Sequence, residues 1–166
     1  MYQKINYWRD NFLNGVLSVA SAGLLGLRKY LSIPSKFGYT QADLGALPLG
    51  SLGRTVADSL AAQGHTLLKG YENHDFEHIL FGYDMSLVGE VRLQAYLLGA
   101  GYSGKYGLVL LLFAGVVMPD YWRIFWHDYT LGRKIYGKNK HLVIRDLVTL
   151  PFHKAQSIAG LLTSLY

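Results

Sequence analysis

The sequence contains no cysteine, so neither a disulfide framework nor a thiolate metal site can form, and any metal ion must be held by imidazole and carboxylate. Charge is scarce as well. Asp, Glu, Lys and Arg make up 16% of the 166 residues against 51% hydrophobic ones, more apolar than a soluble surface requires, which points to an apolar interior able to take a ligand or to membrane contact. No Asn-Gly or Asp-Gly turn joins two alternating segments, Val/Ile/Thr alternation is rare, and no internal repeat recurs, which argues against sheets and solenoids. The longest apolar run, Gly107 to Met118, falls short of the roughly 20 residues needed to cross a bilayer and reads as a buried helix.

What is present is helical periodicity and one dense set of metal-ligand side chains. The length fits a single all-α domain over residues 1–166, of about six to seven helices around an apolar, lipid-accommodating interior. In the first segment Ile5, Trp8, Phe12, Val16, Val19 and Gly23 trace one helix face ending near Tyr30. Lys4 and Arg9 ahead of Val16 to Leu27 mimic a secretory signal, but Asp10, Asn11 and Asn14 interrupt it, so neither a signal nor a transit peptide is expected. From Ser32 to Gly53 the prolines, glycines and serines read as a connection without regular structure. Ser51 then caps a helix whose buried face carries Leu52, Val56 and Leu60. Arg54, beside the free N–H groups of that helix start, could hold an anion.

The stretch His74 to Glu90 carries the chemistry. On a helix from Tyr71 to Phe81, His74 and His78 share a face and Asp75 lies beside it. Glu90 would lie roughly 18 Å beyond His78 on an unbroken helix, so it reaches the same ion only if the chain turns back. Gly82 can end the first helix, and Asp84 or Ser86 can cap a second that carries Glu90 in its first turns. Two imidazoles four apart with a distal carboxylate are the ligand logic of helical metal sites; a solvated polar stripe has the same spacing. Further on, Asp120 is placed to cap a helix that stops at Gly137. Its Tyr121, Trp122, Phe125, Trp126 and Tyr129 can serve as core, dimer face or interfacial membrane anchor, and His127 among them reads as structural. A last helix is expected from Pro151 to Leu162.

The net charge is +5, with the basic excess concentrated late, in Arg133, Lys134, Lys138, Lys140, Arg145 and Lys154. Such a cluster suits anionic headgroups or phosphates, or is simply a solvated basic face. No nucleic-acid-binding motif accompanies it, so a nucleic-acid partner is not expected.

His74-Asp75-x-x-His78, eleven residues and Glu90 together resemble the HDxxH-x11-E motif of the Coq4 family of ubiquinone (coenzyme Q) biosynthesis proteins, with all four positions matched. The stretch Pro48 to Arg54 resembles that family's Pro-x-Gly-Ser/Thr-x-Gly-Arg segment, and Gly132-Arg133 its later Gly-Arg step. The resemblance runs from about Leu44 to Leu162 and leaves residues 1–43 outside. Where many members carry an aromatic-acidic segment, this chain has Lys138 to His141, so partner contacts of that region need not carry over.

The resemblance implies an all-α metal protein of quinone biosynthesis that binds polyprenylated benzenoid intermediates and decarboxylates and hydroxylates ring carbon C1. Zinc is the usual ion; iron(II) or manganese suits the same donors. It implies His74, Asp75, His78 and Glu90 as metal ligands, with Asp75 or Glu90 alternatively carrying protons. It also implies a bacterial chain, cytoplasmic and peripheral on the inner face of the membrane, a homodimer, in contact with other quinone-biosynthesis proteins. A scaffold that presents quinone precursors without chemistry, its metal stapling two helices, is the second reading. A metalloprotease-like hydrolase is the third and weakest, because Asp75 stands where those enzymes carry Glu.

Overall fold

The computed structural model describes residues 37–102, 105–137 and 143–160, together with Asn11, Phe12 and Gly15. The first expected helix and residues 138–142 lie outside these. Eight helices and no strand occur among the described residues: α1 (Gln41–Gly45), α2 (Leu52–Ala62), α3 (Glu72–Phe81), α4 (Leu87–Ala100), α5 (Lys105–Val117), α6 (Trp122–Lys134), α7 (Ile144–Leu147) and α8 (Phe152–Ile158). The all-α single domain is as expected. The count exceeds six to seven because α1 and α7 are too short to leave a periodic trace.

Helix α1 lies where the composition reads as a connection. It forms through a reciprocal cap: the Asp43 N–H donates to the Thr40 hydroxyl (3.2 Å) and the Thr40 N–H to the Asp43 carboxylate (2.7 Å). Ser51 caps α2 by accepting from the Arg54 N–H, and Leu52, Val56 and Leu60 are buried, as the spacing predicts. Arg54 is not available to an anion. Its Nε faces both Asp58 oxygens at 2.8 and 2.9 Å, and Nη1 donates to the Gly45 carbonyl that ends α1.

Two bodies of core meet along α3 and α4. One gathers α1, α2, α3, α7 and α8 around Leu44, Leu52, Val56, Leu60, Phe76 and Val148. The other wraps α4 with α5 and α6 through Val91, Ala95, Met118, Phe125 and Ile135. Helices α4 and α6 touch backbone to backbone: a Cβ on Gly99 would collide with the Tyr129 carbonyl, and one on Gly132 with that of Tyr96, so only glycine permits this approach.

Two expectations for this second body are corrected. Asp120 does not cap α6; Pro119–Tyr121 forms a 3-10 turn and Tyr121 precedes α6 without a side-chain cap, because proline sets φ for the tighter turn. Nor is the apolar run Gly107 to Met118 a buried helix. Gly107, Ala114 and Met118 face inward, but Val109, Leu112 and Val116 are 64%, 65% and 82% exposed. The helix is apolar all round, while among the described residues α4, the turn after α5 and the start of α6, whose Trp122 Nε1 donates to the Gly115 carbonyl at 2.8 Å, cover one side of it. Its exposed face continues into Trp122 and Trp126 on α6. Among the described residues no single helix is long and apolar enough to cross a membrane; α5 and the segment after it break by 108°.

Candidate metal centre

Helix α3 ends at Gly82, whose φ of +74° is a left-handed conformation that a side chain would strain. The chain reverses over five residues, and Ser86 opens α4 by accepting from the Gly89 N–H at 3.1 Å, while Asp84 accepts from the Ser86 N–H at 2.8 Å. This return brings Glu90 onto the two histidines. His74 Nε2 is 3.1 Å from both oxygens of Glu90, and His78 Nε2 is 3.0 Å from Oε2. The two imidazoles stand edge to face, 4.6 Å apart. One donor atom from each of His74, His78 and Glu90 can be chosen so that all three lie within 4.8 Å of one another, and they form the one such group among the described residues. Three hard-to-intermediate donors that converge from two helices fit a divalent ion of the zinc, iron(II) or manganese type.

Asp75 is placed differently. It is buried on the same helix and lines the same cavity, but its Oδ2 accepts the Leu68 N–H at 2.8 Å and stands outside the three-donor cluster. Burial pushes its carboxyl above the ordinary value, against the Leu68 hydrogen bond and the nearby imidazoles. Glu90 is affected the other way. Burial raises it, but hydrogen bonds and charges from His74 and His78 prevail and hold it well below the usual carboxylate range. His74 answers: burial lowers it, yet Glu90 leaves it net above the ordinary imidazole value.

The cluster forms one wall of a cavity of about 390 Å³. Leu60 and Met85 supply apolar surface, and the segment from Gly64 to Leu68 its rim, with His65 exposed there. None of the apolar run 107–118 lines it. His127 is exposed and apart from the cluster, neither ligand nor core.

Sequence reasoning missed three partners. Gln94 donates to Glu90 Oε1 at 3.1 Å; it is one turn beyond Glu90, so helical spacing held that signal. Glu77, half-buried on α3, adds carboxylate charge near His74, His78 and Glu90 and is itself raised by burial. The segment from Gly64 to Leu68 carries no motif at all.

Fold and cluster together define a class: an all-α protein with a two-histidine, one-carboxylate group at the wall of a pocket. No protein-family model and no curated protein sequence matches the chain. Among solved structures it shares its fold with a Nostoc punctiforme protein provisionally assigned to ubiquinone biosynthesis, with a TM-score of 0.56 and 17% identity over 82% of this chain and 74% of that one.

Proposed function

We propose that the protein is a metal-dependent decarboxylase of ubiquinone biosynthesis acting on a polyprenylated hydroxybenzoate-type ring. The observation that carries this reading is the convergence of His74, His78 and Glu90 at the wall of the cavity. The chain's resemblance to the Coq4 motif and its shared fold with the Nostoc punctiforme protein support the pathway. In this reading His74, His78 and Glu90 hold the ion, which when bound supplies Lewis acidity toward a phenol or carboxylate oxygen of the ring. Leu60 and Met85 exclude water from the ring face. Asp75, at the cavity wall beside the cluster with its carboxyl raised by burial, is the group placed to deliver a proton to C1 as the carbon–carboxylate bond breaks and carbon dioxide leaves. Hydroxylation at the same carbon would consume dioxygen and a two-electron donor, one oxygen atom entering the ring and the other leaving as water.

The cavity suits a ring rather than a long tail, which leaves the prenyl chain outside it. The exposed apolar face of α5 with Trp122 and Trp126, next to exposed Arg123, Arg133 and Lys134, supports contact with a lipid surface from which such a tail would be presented.

Release of carbon dioxide from a prenylated hydroxybenzoate by the metal-loaded protein, and its loss in Asp75→Asn with metal retained, is the expected result. A protein that binds metal and lipid yet releases none with zinc, iron(II) or manganese is a scaffold. That second reading is favoured by the Glu90 contacts themselves, which already clamp α3 to α4.

A further inference from the structure

Behind the cluster is a second buried carboxylate that the proposed chemistry does not use. Asp128, on α6, is 1% exposed, and its oxygens are taken up by two partners from elsewhere in the chain. Arg92 Nε donates to Oδ2 at 2.8 Å and Nη2 to Oδ1 at 3.3 Å. The Tyr83 hydroxyl donates to Oδ1 at 3.1 Å, and the Arg92 guanidinium lies 5.3 Å from the centre of the Tyr83 ring.

Both partners lead back to the cluster. Tyr83 is in the reversal after Gly82, and its carbonyl faces His78 Nδ1 at 3.3 Å. A carbonyl can only accept, so this contact is made by an Nδ1–H, and Nε2, which in the metal-free protein faces the Glu90 carboxylate at 3.0 Å, is the nitrogen turned toward the ligand position. Arg92 is two residues beyond Glu90 on α4, so its anchor also fixes the rotation that aims Glu90. A buried ion pair of this kind contributes little net stability over an apolar replacement, and the Gly99–Gly132 contact already holds α4 to α6. Placement of the tyrosine carbonyl is what the pair adds.

We propose that Asp128 is a positioning residue of the candidate metal centre: through Tyr83 and Arg92 it fixes the carbonyl that His78 Nδ1 bonds, and so presents His78 Nε2 to the cavity. The functional side of this inference rests on the metal reading; the tautomer does not.

The test uses the full chain with Asp128→Asn, Tyr83→Phe, the double variant, and Val148→Ala as a destabilised control whose side chain packs near Gly53, on the other core. Zinc affinity by competition titration should fall about 10- to 100-fold in Asp128→Asn, the range for lost outer partners of a ligating histidine. Tyr83→Phe should fall less, and the double variant no further than Asp128→Asn, because the two act along one line. Nitrogen-15 NMR of metal-free protein above pH 8 in a Glu90→Ala background, which removes the competing acceptor at Nε2, should show His78 as the Nδ1–H tautomer with Asp128 intact and a mixture with Asp128→Asn. Val148→Ala should lose stability and keep its zinc affinity. Unchanged affinity and tautomer in Asp128→Asn overturn the proposal, as does an affinity loss in Val148→Ala that matches its loss of stability. If the wild type binds none of zinc, iron(II) and manganese, the metal reading fails, and the tautomer alone decides the role of Asp128.

Discussion

Helix α4 carries one carboxylate and meets another on α6, and the two are held in opposite ways. Glu90, 16% exposed, faces two imidazoles across an open cavity; Asp128, 1% exposed, faces a guanidinium and a phenol inside the contact with α6. Imidazole changes its proton content near neutral pH and can exchange a hydrogen for a metal ion, whereas guanidinium keeps its charge at any working pH. The first arrangement is therefore replaceable by a ligand and the second is fixed. A buried polar group that opens onto a cavity and has titratable partners marks a site; one sealed behind permanent charge marks support.

The comparison breaks most sharply at Glu90. Glu90→Ala or His78→Ala should reduce metal content from near one per chain to background, weakening affinity beyond the roughly 100-fold expected of an outer partner; retention of stoichiometric metal in both, by elemental analysis, would remove the cluster as a binding site. Glu90→Gln should lower metal and turnover together. Turnover lost with metal intact would instead make Glu90 the proton carrier.

Next in size is stability. Asp128→Ala removes the carboxylate that pairs with the half-buried Arg92 and should cost about 2–3 kcal/mol in urea denaturation, less than the roughly 3–5 kcal/mol of a fully buried pair because Arg92 is itself 37% exposed. Glu90→Ala should cost less, since its imidazole partners can shed their protons. If the order reverses, the support role belongs to Glu90.

The pH dependence separates bound from metal-free protein. In the metal-free state Glu90, depressed below 4.5, contributes stability that is present above that value and lost as pH falls through its folded one. His74, raised above 6.5, contributes stability present below 6.5 and lost as pH rises through its folded value. Together they favour the metal-free fold between about 4.5 and 6.5. A metal competes with those protons, so the thermal shift on adding zinc should grow as pH rises from 6 to 8 and vanish in Glu90→Gln. A shift independent of pH would mean that the histidines are not ligands.

The smallest effect on stability and a large one on partners should come from α5. Val116→Ser and Leu112→Ser, at exposed positions, should change stability by less than about 0.5 kcal/mol. They should reduce co-flotation with anionic vesicles several-fold; undiminished flotation, or a change of oligomeric state in its place, would assign this face to a second copy of the chain.

The local sequence by itself determined the helices and where they stop: Ser51 and Ser86 cap because a hydroxyl satisfies a free N–H, Gly82 ends α3 because it tolerates a positive φ, and His74 with His78 share a face because four residues make about one turn. Those are interactions over a few residues, and pattern records them. Only the tertiary structure decided that Glu90 closes on both histidines, that Asp75 turns to the Leu68 N–H, and that α5 is left half uncovered. It alone tied Asp128 to Tyr83 and Arg92, which lie 45 and 36 residues away along the chain. Hydrophobic content fixes that a segment seeks cover, but which neighbour covers it depends on how closely two backbones approach, and here glycines at 99 and 132 give α4 to α6 and leave α5 facing out.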